Sequence, residues 1–413
     1  MLKRYYILIV LLLLSIFLRQ YATSLGFTSD ALTFFNRGLN FSNCWSYFLV
    51  CVSHENGRTF IPDTYGILSF YENGLINIIT EKVFGQTIQN NYQKTYAFYL
   101  SFIDFLIAIN IKKITKKWIP AFLYILTPVS FLISGMHFQI DSVAILLMTY
   151  SFLFFINNRL SLSALLAGLS LAYKMTMMFF IPILIMYLMI DRASKIKIIN
   201  FLLITGITYL ILTIPSFISS YFINLSEPLS FVESIKMYLF YVLVQENSPG
   251  TLAHSISLFS NLGLNQTLIM LLATFGSMNI IMKLKLINKE EILAYFMIIF
   301  FIFTSRLHEQ YLIIPTIGIL LAWNNKPLQF INIPLQIFFV SIYYRISANL
   351  DLKQNWIFKL KGINKIENIF QVFLEENIYP NIKIWILIQI GLLTMLIVYF
   401  ILKYYRKENH QIN

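Results

Sequence analysis

Charge is scarce in this sequence. Charged residues fill 12% of 413 positions, about half the roughly 25% usual in a soluble globular chain. Apolar residues reach 58% and the mean hydropathy is +0.69, which excludes an ordinary water-soluble domain. Cysteine is scarcer still. Cys44 and Cys51 share one short segment, and in a helix they would stand about 10 Å apart along the axis, too far for a disulfide. They read as two ordinary thiols. Acidic residues are few beside basic ones, 19 against 31, for a net charge of +12. In a soluble protein that excess would suggest nucleic acid; here its placement speaks of a membrane and not of nucleic acid.

What the chain has in place of charge is long apolar blocks. They fall at about 5–20, 95–111, 118–134, 142–156, 160–173, 175–190, 199–217, 266–282, 291–304, 311–323, 328–344 and 381–402. Several approach the roughly 20 helical residues that cross a hydrocarbon core. The blocks are continuous rather than alternating, so helices and not barrel strands are expected. The expectation is an all-α integral membrane protein of about twelve spans, a single polytopic domain over 1–413 surrounded by membrane lipids. The pair of blocks flanking Lys174 also reads as one broken element. Lys3 and Arg4 before the apolar run 5–18 resemble the start of a signal peptide. No small-residue cleavage site follows, so an uncleaved first span is expected.

Alternate connections are basic. Assigning Lys3 and Arg4, Lys112 to Lys117, Arg159, Arg192 to Lys197, Lys283 to Lys289, Lys326 and Lys403 to Lys407 to the cytoplasm collects 17 of the 31 Lys and Arg there with only 4 of the 19 acidic residues. This is the asymmetry that orients membrane helices. His54, His137, His254 and His308 then fall outside, together with the three long loops 21–94, 218–265 and 346–380. The cytoplasmic connections are short and hold neither an acidic pair for a metal nor a Gly-rich phosphate loop. Chemistry is therefore expected on the extracytoplasmic face, without a metal or other cofactor.

The outer loops carry amphipathic stretches at 65–84 and 229–244, suited either to lying in the interface or to simple anchoring. Three Asn-x-Ser/Thr sites, at Asn40, Asn224 and Asn265, fall on the same side. Asp30 follows the first span closely. It can cap the helix beginning near Ala31 or act as a general base toward an acceptor hydroxyl. Asp63, in Ile61-Pro-Asp-Thr-Tyr-Gly66, suits a turn.

Two polar knots interrupt the apolar runs. In Gly135-Met-His-Phe-Gln-Ile-Asp141, the side chains of His137, Gln139 and Asp141 suit sugar hydroxyls, while their spacing is poor for a metal; Asp141 also suits a helix cap. In Ser305-Arg-Leu-His-Glu-Gln-Tyr311, Arg306 and His308 beside Glu309 suit either a phosphate, for which Arg offers a bidentate fork, or an interfacial salt bridge. Lys174 and Asp104 lie inside apolar blocks, where a charge is functional or paired. An ion pair between these two is one expectation.

The order of these pieces resembles the GT-C superfamily of polytopic glycosyltransferases, over roughly residues 20–320. His137-Phe-Gln139 is similar to a motif of the dolichyl-phosphate-glucose-dependent glucosyltransferases, and Gln139-Ile-Asp141 to that of bacterial relatives. Ala167-Gly-Leu-Ser-Leu-Ala-Tyr-Lys174 with Pro182 resembles the family's small-residue helix ending in Lys. Arg306-Leu-His-Glu-Gln-Tyr311 with Pro315 is similar to a bacterial signature, and Asp104 stands where many members carry Asp. Two departures are Asp63-Thr-Tyr-Gly66, where the family has Asp-Tyr-Pro-Pro, and Gln310 in place of Arg or Lys.

The resemblance implies a GT-C-like bundle acting on the extracytoplasmic or lumenal side. It implies inverting transfer of a hexose, glucose or mannose, from a polyprenyl-phosphate-linked donor to a lipid-linked or surface glycan. Asp30 would be the base, Arg306, His308 and Lys174 would hold the donor phosphate, and His137, Gln139, Asp141, Asp63 and Glu309 would line the sugar or acceptor side. A transporter or flippase of lipid-linked sugars, and a surface-polysaccharide polymerase or ligase, are the alternatives.

Overall fold

The computed structural model describes residues 2–25, 31–39 apart from 33 and 37, 67–86, 88–138, 141–174, 176–223, 266–304, 309–337 apart from 327 and 334, and 382–412. Asp30, Asp63, Gln139, Arg306 and His308, both cysteines, and most of the second and third long loops lie outside them.

Among the described residues the chain is helical, with no strand. In order the helices are α1 (Leu2–Leu25), α2 (Ile67–Phe84), α3 (Gln89–Thr115), α4 (Ile119–Leu126), α5 (Pro128–Leu132), α6 (Asp141–Ile156), α7 (Leu160–Tyr173), α8 (Thr176–Ile190), α9 (Lys195–Ile223), α10 (Gln266–Lys283), α11 (Ile292–Phe303), α12 (Ile313–Leu321) and α13 (Ile382–Ile412). Most apolar blocks thus lie within helices, although α3 starts six residues before its block, α9 ends six residues after its block and α13 ends ten residues after its block. Among the described residues four helical stretches are long and apolar enough to cross a membrane, 5–24, 195–213, 266–283 and 387–409, and the broken pair 119–126 with 128–137 would add a fifth. Helices α6, α7 and α8 are apolar but shorter.

The outward faces are as apolar as the inner ones. Ile196, Ile199, Leu203 and Ile211 of α9 are exposed, as are Leu387, Ile397 and Ile401 of α13. Such faces suit lipid rather than water.

The helices gather into two compact units, residues 1–110, 130–181 and 193–245 in one and 111–129, 182–192 and 246–413 in the other. In the first, α6 and α7 form a hairpin, α9 packs along α7, and α2 packs on α7 and α9. Small residues permit the close approach. A Cβ on Gly168 would stand 2.7 Å from both the Thr205 carbonyl oxygen and the Thr208 Cβ, and Thr205 Oγ1 donates to the Ala164 carbonyl at 3.2 Å. Such small-residue seams are how helices associate in lipid, where no hydrophobic drive separates them from their solvent. In the second unit, α11 lies among α10, α12 and α13, with every residue from Ile292 to Phe303 buried. Gln389 of α13 donates to the Phe301 carbonyl at 3.0 Å.

Candidate functional site

The polar layer of the first unit is built on α1. Arg19 is fully buried near its C-terminal end, and its Nε donates to Asp104 Oδ2 of α3 at 3.0 Å. Its Nη2 donates to Ser130 Oγ of α5. Four residues earlier, Ser15 Oγ donates to the Ser101 carbonyl at 2.8 Å. Asp104 therefore pairs with Arg19, and not with Lys174.

The first polar knot sits directly against α1. The chain leaves α5 through a π-helical turn, Ile133–His137. A Cβ on Gly135 would lie 2.5 Å from the Ala22 Cβ and 2.7 Å from the Arg19 carbonyl oxygen, so only glycine lets the turn approach this closely. Phe138 closes the turn in the left-handed region, at φ 53° and ψ 35°. Its ring stacks on Tyr96, with centroids 5.6 Å apart and planes 20° apart. His137 is buried beside it.

Asp141 then opens α6 as its first residue. The α6–α7 hairpin turns through Asn158 at φ 60° and is tied at successive levels. Ser151 Oγ donates to the Ser163 carbonyl at 2.8 Å, and Ser170 Oγ to the Ala144 carbonyl at 2.8 Å. At the open end the same register brings Lys174, extended at φ −157°, to 2.5 Å from Asp141 Oδ1. Both side chains are almost wholly buried. The other Asp141 oxygen has no hydrogen-bond partner among the described residues. The structure thus breaks the chain at Lys174, as the broken-element reading expects, and joins the small-residue motif ending in Lys174 to the polar knot ending in Asp141.

A further buried acid, Glu72, was not singled out from the sequence. Helix α2 turns a polar stripe inward, Ser69, Glu72, Asn73, Asn77 and Thr80 with Ile76 among them, and leaves Leu75, Ile79 and Val83 exposed. These positions recur at the three- and four-residue spacing of one helical face, a signal the sequence does carry. Tyr96 Oη donates to Glu72 Oε1 at 2.8 Å, and Tyr92 Oη to Asn73 Oδ1 at 3.0 Å. Burial pushes the Glu72 carboxyl up to about 8, against the opposing hydrogen bonds from Tyr96 and Tyr173. Glu72 is thereby linked through Tyr96 to Phe138, and directly to Tyr173, the residue preceding Lys174. Arg19 was missed as well, although a cation within an apolar block signals a buried partner.

Glu309 begins a short 3₁₀ turn, Glu309–Leu312, in the second unit. No three His, Cys, Asp or Glu side chains converge among the described residues. What the described residues of the first unit provide is a buried set of acids, cations, phenols and the His137 imidazole, suited to holding a polar ligand or moving a proton. No protein-family model matches the chain, and no curated protein matches it.

Proposed function

We propose that this chain is an integral membrane glycosyltransferase of about twelve spans, which inverts a hexose as it moves it from a polyprenyl-phosphate donor to a glycan acceptor on the extracytoplasmic side. Asp30 takes the proton of the acceptor hydroxyl. The acceptor oxygen bonds to the anomeric carbon as the carbon–oxygen bond to phosphate breaks, and the phosphate leaves with the bonding electrons. The motif order assigns charge stabilisation on that phosphate to Arg306 and His308, the electrostatic contribution that usually dominates such steps. His137, Gln139 and Asp141 line the sugar, joined on the acceptor side by Asp63 and Glu309. Lys174 enters this scheme as a cation held by Asp141, ready to exchange part of that pairing for a phosphate oxygen.

The observation that carries the reading is the 2.5 Å approach of Lys174 to Asp141. It brings together two motifs that resemble the same superfamily but are separated in sequence by the whole α6–α7 hairpin. The test is product analysis in membranes containing the chain, supplied with radiolabelled polyprenyl-phosphate glucose or mannose and no added divalent metal. Labelled glycan is expected. Transfer directly from a nucleotide sugar, in membranes free of polyprenyl phosphate, would overturn the donor assignment.

A second reading, a transporter or flippase of lipid-linked sugars, is favoured by the helix breaks at Thr127 and Lys174, since transporters place discontinuous helices at their binding sites. Movement of a labelled lipid-linked sugar across sealed vesicles, with the label still on its lipid, would select it.

A further inference from the structure

A lateral groove of the second unit has no role in the proposed transfer. It is a cavity of about 580 Å³ between α10, α11 and α13, lined by Ile280, Leu284, Phe303, Ile397, Ile401 and Tyr405 among others. That size falls within the range of small-molecule sites, roughly 300–1,000 Å³. Ile280, Leu284, Ile397 and Ile401 are also exposed on the outer surface, so the groove opens sideways, toward hydrocarbon in a bilayer.

One end of the groove is cationic. Leu284 and Tyr405 line that end, and Lys283, Lys285 and Arg406 stand exposed next to them in the chain. Lys407 Nζ donates to the carbonyl of Leu284 itself at 3.0 Å, which fixes the basic end of α13 on the groove's rim. The nearby acids are engaged within the protein. Glu291 accepts from the Asn288 backbone at 3.0 Å and pairs with Lys403 at 3.6 Å. Glu408 accepts from Tyr404 at 2.5 Å, and Glu290 follows Lys289 in the turn that opens α11. Tyr404 and Tyr405 have the amphipathic character that settles at the headgroup level.

We propose that the groove seats one acyl chain of an anionic phospholipid, whose phosphate rests against Lys283, Lys285 and Arg406. Charge complementarity selects this occupant. An apolar slot alone accepts any lipid tail, whereas a basic rim at the end of the slot discriminates by headgroup. With the basic connections placed in the cytoplasm, the rim faces the leaflet surface that carries most anionic lipid. The proposal does not depend on glycosyl transfer.

The test uses the full chain, purified in detergent, and native mass spectrometry with phosphatidylglycerol and phosphatidylcholine of identical acyl chains. Phosphatidylglycerol should be retained with an affinity on the order of a hundredfold higher, from three cations each acting near a lipid surface. The exposed triple variant Lys283→Gln, Lys285→Gln, Arg406→Gln should bind both lipids equally and keep the wild-type elution profile. Ser277→Phe, which intrudes on the groove from α10, should weaken both. Equal retention of the two lipids by the wild type, or a preference that survives the triple variant, would overturn the proposal. So would equal protection by inorganic phosphate or glycerol phosphate, which would show an anion site without a lipid.

Discussion

Lys174 and Asp141 meet at 2.5 Å across the open end of the α6–α7 hairpin, at the level that the Ser151–Ser163 and Ser170–Ala144 bonds set from the closed end. The pair is buried on both sides, so removing one partner strands the other in a dry site. Lys174→Met should destabilise the chain by about 3–5 kcal/mol and reduce its membrane abundance. The double variant Lys174→Met, Asp141→Asn should recover most of that loss. Detergent melting curves check both. A single variant that melts with the wild type would mean that the pair does not hold the hairpin.

Arg19 uses two nitrogens, one on Asp104 and one on Ser130. Lysine carries the charge on a single point and cannot reproduce that fork. Arg19→Lys should therefore keep the chain folded but cost about 1.5–3 kcal/mol, the range for one lost charged hydrogen bond. In the Ser130→Ala background the same change should cost less, because one of its partners is already gone. Equal losses in both backgrounds would remove Ser130 from the network.

The helices were legible because apolar blocks and basic connections are properties of single segments. Their ends at Tyr173 and Ile156 were readable from where charge and amides interrupt the blocks. Partners were less legible. Asp104, Lys174, Asp141 and Arg19 offer two acids and two cations, and composition does not say which pairs form. That is settled by the hairpin register and by the packing that sets Ser15 and Arg19 of α1 against Ser101 and Asp104 of α3. Glu72 escaped notice for a different reason. Exposed Leu75, Ile79 and Val83 beside buried Ser69, Asn73 and Asn77 invert the pattern of a water-soluble helix. The amphipathic reading of 65–84 found two faces, without showing that the polar one holds a buried acid.

Gly135 makes a steric prediction. A methyl group there would stand 2.5 Å from the Ala22 Cβ and 2.7 Å from the Arg19 carbonyl oxygen, and the backbone on one side cannot swing away. Gly135→Ala should cost about 1–3 kcal/mol, the range for overpacking a filled site. Gly276, where a Cβ meets nothing within 4 Å, is the control. Gly276→Ala should be neutral or slightly stabilising by melting temperature, since alanine favours a helix interior.

Asp30→Asn tests the base. Asparagine caps a helix about as well as aspartate, so membrane abundance should be unchanged. It has no basicity, so transfer should fall by roughly a hundredfold or more. Turnover near the wild-type rate would return Asp30 to a capping role, and loss in Asp63→Asn alone would move the base to Asp63.

Glu72 sets a dependence on pH. Its ordinary value is 4.5 and burial lifts it to about 8 in the folded chain, so the folded state holds its proton more tightly than the unfolded state does. Stability from this group is fully present below about pH 4.5, falls as pH rises through the window between the two values, and is lost above about pH 8. Glu72→Gln is neutral throughout and still offers a carbonyl to Tyr96. Between about pH 5 and about pH 9, the wild type should lose a few kcal/mol relative to this variant, with the gap opening toward the alkaline end. Other titrating groups are common to both proteins and cancel in the difference. Parallel melting curves across that window would show that Glu72 is ionised when folded, its burial offset by the hydrogen bonds from Tyr96 and Tyr173.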